Sequence, residues 1–235
     1  MKSLNAFILT SALALLAVPA AASVNKSVRI EAGATSEGAS SVNGSIKVGE
    51  GAYVNGELGT VNGSIKLASG VTARDVESVN GKISIGDDSN IASSETVNGR
   101  NYLGERVQVS GNVTTVNGGI DARQGTTIGG DVKAVNGGIG LFGVQVMGDL
   151  SNVNGDINLT EGTRINGNVI VRKPKRMGWS WGKRDPSRVV IGPNVVIEGE
   201  LELQRKVRLY VHETAKIGSI IGDDVEMETY SGSEP

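Results

Sequence analysis

Apolar and polar residues alternate along most of this chain in short runs, and one such run recurs at a nearly fixed interval. Residues 41–48 read SVNGSIKV, in which one polar residue separates the apolar Ile46 and Val48. Alternation with a period of two predicts a short strand that buries one face. The Val-Asn-Gly tripeptide recurs in a series of seven, at steps of 18 or 19 residues. Its asparagines are Asn43, Asn62, Asn80, Asn98, Asn117, Asn136 and Asn154.

A second glycine corner follows five of the seven tripeptides after about twelve residues, as at Gly111, Gly130 and Gly148. Each period therefore holds two or three short strands joined by turns. A unit this small cannot bury its apolar face alone, whereas stacked units can. The pattern predicts an all-β fold, a parallel β-helix solenoid with about 18–19 residues per coil. Roughly nine coils spaced about 4.8 Å apart would form a rod on the order of 45 Å long.

An antiparallel sandwich and a left-handed β-helix are the alternatives to this solenoid. Asn-Gly hairpins could build an antiparallel sandwich, but a sandwich does not need a strict period with identical residues. A left-handed β-helix would suit a period of eighteen, because such helices repeat every six residues and residues 191–199 resemble two such units. Earlier coils keep no six-residue step, and parallel crossovers prefer the right hand, so we favour a right-handed solenoid.

The small residues of the corner are expected to have separate roles. Glycine accepts a positive φ without steric cost, which we expect the corner to require at Gly44 and its equivalents. Asparagine carries an amide, so the seven stacked asparagines are expected to form a hydrogen-bonded ladder. In this scheme Val42 and Ile46 face the stacked interior.

Residues 1–22 predict a secretory signal peptide. Lys2 precedes an apolar run over residues 6–18 and a small-residue stretch that ends at Ala22, where cleavage is expected. An uncleaved anchor is the alternative, although the run is shorter than the roughly 20 residues that a spanning helix needs. The mature chain is therefore expected to be exported to the periplasm, the cell envelope or the exterior. It contains no cysteine, so packing and hydrogen bonds alone must hold its coils.

Coils are predicted for residues 23–171 and 189–222, because the corner expected near residue 172 is missing. Residues 172–188 read RKPKRMGWSWGKRDPSR instead, which predicts a basic surface loop inserted between coils. This loop carries a charge of +6, whereas the rest of the mature chain carries −9. Residues 223–235 are acidic and are expected to form a disordered tail. The candidate contact residues of the loop are Arg172, Lys173, Lys175, Arg176, Trp179, Trp181, Lys183, Arg184 and Arg188.

Residues suited to catalysis are scarce. The chain has one histidine, His212, and no cysteine, which excludes a Cys-His pair and a multi-histidine metal site. Asp121, Asp131 and Asp149 are outward candidates for the carboxylate chemistry that some β-helix enzymes perform on acidic polysaccharides. They follow different corners, however, and do not share a catalytic spacing. We therefore expect a protein that is not an enzyme and that needs no cofactor or metal ion.

The units around Gly111, Gly130 and Gly148, together with residues 190–201, resemble the bactofilin family of polymer-forming cytoskeletal proteins. The resemblance spans about residues 40–220 and implies a short right-handed β-helix that associates end to end without nucleotide. Bactofilins are typically cytoplasmic, whereas this chain begins with a predicted signal peptide. The Val-Asn-Gly strands also resemble the adhesin-like repeats of exported bacterial proteins.

These features predict an exported, non-enzymatic structural or scaffolding protein of the bacterial cell envelope. Its expected partner is itself, in an end-to-end homo-oligomer. The alternative is an adhesin-like module that binds an anionic envelope polymer or a membrane surface through residues 172–188. That loop could also dock on the acidic surface of another subunit. No nucleic-acid partner is expected, because export would separate the protein from nucleic acid.

Overall fold

The chain folds as a parallel β-solenoid of about 10 turns with about 19 residues per coil, which confirms the predicted fold class. The computed structural model describes residues 21–174, 186–222, 225–232 and 235, so the predicted signal peptide lies almost wholly outside the described residues. Within the described ranges every secondary-structure element is a strand. No helix there is long and apolar enough to cross a membrane.

Three ladders of parallel strands run along the rod, and each coil contributes a strand to two or three of them. Ladder A contains β1 Ala21–Ser23, β4 Ala39–Ser41, β7 Leu58–Asn62, β9 Asp75–Asn80, β12 Ser93–Asn98, β15 Val113–Asn117, β18 Val132–Asn136, β21 Leu150–Asn154, β24 Val169–Val171, β26 Val196–Leu203 and β28 Lys216–Ile221. Ladder B contains β2 Val28–Ile30, β5 Ile46–Val48, β8 Ile65–Leu67, β10 Ile83–Ile85, β13 Asn101–Leu103, β16 Ile120–Ala122, β19 Ile139–Phe142, β22 Ile157–Thr160, β25 Ser187–Ile191, β27 Val207–His212 and β29 Val225–Tyr230. Ladder C contains the short strands β3 Thr35–Ser36, β6 Tyr53–Val54, β11 Asn90–Ile91, β14 Gln108–Val109, β17 Thr127–Ile128, β20 Gln145–Val146 and β23 Arg164–Ile165.

The strands stack so that equivalent residues of the repeat are cross-strand neighbours. Ile46 pairs with Ile65, and Ile65 pairs with Ile83, along ladder B. All three are fully buried, as the alternating pattern predicts for one face of each strand. Such columns of aliphatic side chains join into one core that runs along the solenoid.

The prediction for Ile46 is confirmed, but that for Val42 is wrong. Val42 is only half-buried, whereas the preceding Ser41 is buried. Because side chains alternate along a strand, burying Ser41 turns Val42 to the outside. The valines of the other six tripeptides are likewise only half-buried.

Close stacking requires glycine at every corner, whereas a positive φ occurs only at the later ones. At Gly44, Gly63, Gly81 and Gly99 φ is not positive, contrary to the expectation from the sequence. The expectation is met at the last three corners, where φ is 157°, 156° and 137° at Gly118, Gly137 and Gly155. A Cβ at Gly63 would overlap the carbonyl oxygen of Gly44 in the preceding coil. The corners therefore exclude a side chain because the backbones of adjacent coils lie too close together there.

Two predicted boundaries differ from the structure. The coil resumes at Ser187, two residues before its predicted restart at residue 189. Residues 223–235 were expected to be a disordered tail, yet Val225–Tyr230 forms strand β29, which pairs in parallel with all six residues of β27. The edge of β27 supplies backbone donors and acceptors, and Lys206 forms an ion pair of 2.6 Å with Glu226. The segment therefore forms a strand despite its acidic composition, because its backbone pairs with the edge of β27.

Candidate functional site

The asparagines of the corner form a continuous amide ladder on the surface of the rod. Asn62 Nδ2 donates to Asn43 Oδ1 at 2.8 Å, and Asn80 Nδ2 donates to Asn62 Oδ1 at 2.9 Å. The ladder begins one coil earlier than predicted, because Asn43 Nδ2 donates to Asn25 Oδ1 at 2.9 Å. The remaining members continue it with bonds of 2.8 to 2.9 Å and are Asn98, Asn117, Asn136 and Asn154. The ladder ties successive coils together and is structural.

A second row of polar side chains lies inside the same corner, three residues before each glycine. Thr60 Oγ1 donates to the carbonyl oxygen of Gly44 at 2.9 Å, and Ser78 Oγ donates to that of Gly63 at 3.1 Å. The equivalent donors in other coils are Ser41, Thr96, Thr115 and Asn152. Sequence reasoning missed this row, although Ser, Thr or Asn occupies six of the seven positions and only Ala134 breaks the series.

Asp131 and Asp149, the candidates for carboxylate chemistry, belong to a structural row at the second corner. Asp131 Oδ1 accepts the N–H of Asp149 at 2.9 Å, and Asp149 Oδ1 accepts the N–H of Asn168 at 2.8 Å. Burial acts to raise the pKa of Asp131, but the hydrogen bonds from Lys133 and from the Asp149 N–H outweigh it and lower the pKa. One oxygen of each carboxylate thus accepts a backbone hydrogen bond from the next coil.

The other candidates for chemistry are also engaged in local contacts. Asp121 Oδ2 lies 3.3 Å from Arg100 Nη1 on the outer surface of ladder B. His212 is buried, its Nδ1 accepts the N–H of Thr214 at 3.1 Å, and its ring meets that of Tyr230 edge to face at 5.0 Å. Within the described ranges, no group of three or more His, Asp or Glu residues is placed to hold a metal ion.

The basic segment is only partly described. Arg172 and Lys173 are exposed where the chain leaves β24. Arg188 lies in strand β25 rather than in a loop, with its guanidinium 5.0 Å from the ring centroid of Tyr210 and Nη2 donating to the carbonyl of Pro235 at 3.1 Å. The other candidate contact residues lie outside the described residues and are Lys175, Arg176, Trp179, Trp181, Lys183 and Arg184.

The C-terminal end of the rod exposes apolar side chains on open strand edges. Strand β28 pairs with β26, and β29 pairs with β27, and no other described strand covers their remaining edges. Ile220, Ile221 and Met227 on these two strands are 42%, 48% and 58% exposed. The backbone edge and the apolar side chains therefore face solvent together at this end.

Carboxylates also collect on the outer surface of ladder A, where Glu57, Asp75, Glu77 and Glu95 form what we call the acidic stripe. Glu77 is the direct cross-strand neighbour of Glu95. Burial and then the charges of the other three carboxylates raise the pKa of Glu77 to about 7. The pKa of Glu57 is raised by burial and by Asp75, and its Oε1 is buried without a hydrogen-bond partner. The stripe is an electrostatically unfavourable surface in the isolated chain.

A comparison with known protein families, curated proteins and solved structures finds no match to this chain. The resemblances to bactofilins and to adhesin-like repeats therefore stay predictions. The candidate sites rest on the geometry of this chain alone.

Proposed function

We propose that this protein is an exported, non-enzymatic structural element of the bacterial cell envelope whose copies associate through the ends of the solenoid. The observation that carries the proposal is the open C-terminal edge formed by β28 and β29. The carboxylates Asp131 and Asp149 support a structural role, because their side chains hold neighbouring coils together.

An open strand edge is a template for another strand, because its N–H and C=O groups lack partners. Each of β28 and β29 presents six residues, so two ladders end together on the same coil. Burying a fully exposed Ile or Met side chain contributes roughly 1.5–3 kcal/mol, and the three side chains at this edge, which are 42–58% exposed, would each contribute about half of that. A second coil stacked there would bury the apolar groups and pair the backbone at the same time.

The N-terminal end offers the matching edges. Strands β1, β2 and β3 are the first members of ladders A, B and C among the described residues. Cleavage after Ala22 would remove two of the three residues of β1 and uncover the edge of β4. Stacking the C-terminal coil of one copy on the N-terminal coil of the next would continue the parallel ladders. Such a head-to-tail contact does not close, so it generates a filament.

A matched pair of methionine variants tests the end contact. Met227 is 58% exposed at the C-terminal edge, and Met147 is 46% exposed in the middle of the rod. In sedimentation velocity, the wild-type protein should form species larger than a monomer as its concentration rises. Met227→Lys should shift these species to monomer, whereas Met147→Lys should leave them unchanged. A monomeric wild-type protein at all concentrations, or equal effects of both variants, would contradict the proposal.

A further inference from the structure

Cations line the outer surface of ladder B along the N-terminal half of the rod. Arg29, Lys47 and Lys66 occupy the same position on three successive strands, and each is the direct cross-strand neighbour of the next. Lys82 immediately precedes the following strand, β10, and is exposed. We call these four residues the basic stripe.

Two members of the basic stripe have no acidic partner in the part of the chain that the structure describes. Arg29 pairs with Glu31 at 3.0 Å, and Lys82 Nζ lies 5.4 Å from the ring centroid of Tyr102. Lys47 and Lys66 are exposed and form no ion pair with any described residue. Like charges directly opposite each other on adjacent strands are destabilising. The column therefore costs the isolated rod stability, as the acidic stripe does on ladder A.

The two stripes overlap in three successive coils. Along the chain Glu57 lies between Lys47 and Lys66, Asp75 and Glu77 lie between Lys66 and Lys82, and Glu95 follows Lys82. Lys47, Lys66 and Lys82 therefore share their coils with the acidic stripe, and both stripes advance by the same step of about 4.8 Å per coil. A second copy placed beside the first without axial shift would set carboxylates opposite cations, coil by coil.

The strand positions of ladder C carry no charge in these coils. The outward residues there are uncharged, and they are Tyr53, Thr72, Asn90 and Gln108. Charged residues beside this ladder lie in the turns, as Asp88 and Arg106 do, where they pair with each other at 2.7 Å. This distribution favours a contact between ladder A of one copy and ladder B of another.

We infer that copies of this protein associate side by side, with the basic stripe of one copy against the acidic stripe of the next. This lateral contact goes beyond the end contact proposed above and uses different residues. It would supply partners for Lys47 and Lys66, and it would place cations beside Glu57 and Glu77. Because the contact joins two different surfaces, each copy keeps one free stripe of each sign, and the contact can be repeated from copy to copy.

The strength of the contact follows from its exposed ion pairs. A single exposed pair contributes about 0–1 kcal/mol, so three or four pairs give a weak contact between two rods. Salt weakens it, because the Debye length falls from about 30 Å at about 0.01 M to about 3 Å at about 1 M. Rods joined end to end would strengthen it, since each added copy contributes another set of pairs.

Charge reversal on one surface at a time provides the test. Lys47→Glu combined with Lys66→Glu makes both surfaces acidic, and Glu57→Lys combined with Glu77→Lys makes both basic. Both double variants are prepared with Met227→Lys as well, so that the proposed end contact does not contribute. Circular dichroism establishes that each protein is folded, and sedimentation velocity at about 0.01 M salt measures association.

Each reversed protein alone should sediment as a monomer, whereas an equimolar mixture should form at least dimers that dissociate at about 1 M salt. A mixture that stays monomeric while both proteins are folded would overturn the inference. If Lys47→Glu/Lys66→Glu abolished binding to polyglutamate or to phosphatidylglycerol vesicles and the mixture stayed monomeric, the basic stripe would be a polyanion site instead.

Neutral variants cover the case in which a reversed protein does not fold. Lys47→Gln/Lys66→Gln and Glu57→Gln/Glu77→Gln should each reduce the low-salt association of the otherwise wild-type chain. Association that neither pair changes would also overturn the inference. The end contact is judged separately, by the comparison of Met227→Lys with Met147→Lys.

Discussion

The hydroxyl of Thr60 donates a hydrogen bond of 2.9 Å to the carbonyl oxygen of Gly44, the corner glycine of the preceding coil. The same oxygen is the atom that a Cβ at Gly63 would overlap. One carbonyl group therefore explains two positions of the repeat, the absent side chain at the glycine and the hydroxyl three residues before it. Thr60 is fully buried, so water cannot replace the hydrogen bond.

Replacing Thr60 by Val should destabilise the solenoid by about 1–3 kcal/mol, because the change keeps the shape but removes the buried donor to Gly44. Thr60→Ser keeps the hydroxyl that Ser41 and Ser78 use in their coils, and it should cost clearly less. Urea unfolding followed by circular dichroism measures both variants. Equal stability of the Val and Ser variants would show that the hydrogen bond contributes nothing.

Gly63→Ala should destabilise the solenoid by about 1–3 kcal/mol or more, because the new Cβ overlaps backbone and adjacent coils must separate. Gly138→Ala is the matched control. A Cβ there meets no atom closer than Asp156 O at 3.3 Å, and the φ of Gly138 is not positive. Thermal unfolding should place the Gly138 variant near the wild type and the Gly63 variant well below it. Similar midpoints for the two variants would contradict the stacking argument.

Features set by spacing along the chain could be predicted from the sequence. The 18–19-residue step predicted the coil, the alternation around Ile46 predicted the core column, and the recurring asparagine predicted the ladder. Each depends only on which residues recur at which interval.

Features set by neighbours in other coils could not be predicted in the same way. The inward orientation of Ser41 depends on a carbonyl oxygen fifteen residues earlier, at Lys26. Strand β29 forms because β27 offers it an edge, which the acidic composition of residues 225–230 does not reveal. The pairing of Glu77 with Glu95 requires the register of ladder A, and that register becomes visible only in the structure.

Asp149→Ala should destabilise the protein by about 1–3 kcal/mol, because the N–H of Asn168 loses its acceptor. Asp149→Asn keeps Oδ1 and should stay near wild-type stability, since Asn112 and Asn168 serve the same purpose in their coils. Thermal unfolding of the two variants makes the comparison. If the Asn variant were destabilised as much as the Ala variant, the carboxylate charge rather than its oxygen geometry would be what matters.

The stability of the solenoid should fall between about pH 5 and about pH 8 because of Glu77. Its pKa is raised from 4.5 to about 7, so the folded state binds its proton more tightly than the unfolded state does. That contribution is fully present at low pH and is lost as the pH rises through about 7. Glu77→Gln should flatten the pH dependence of the unfolding midpoint and raise stability at about pH 8.

Glu50→Gln is the control for that experiment, because Glu50 is exposed and lies outside the acidic stripe. It should leave the slope of unfolding midpoint against pH unchanged. A Glu77→Gln protein with the same slope as the wild type would refute the assignment of the pH dependence to this carboxyl group.

Electron microscopy of the purified mature protein at about 1 M salt tests the central claim most directly, because that salt screens lateral contacts and leaves apolar end contacts in place. One copy has about 10 turns, which at about 4.8 Å per turn gives a rod of roughly 48 Å. The account predicts filaments many times that length for the wild type and for Met147→Lys, and single rods for Met227→Lys. Single rods of the wild-type protein at every concentration would contradict it.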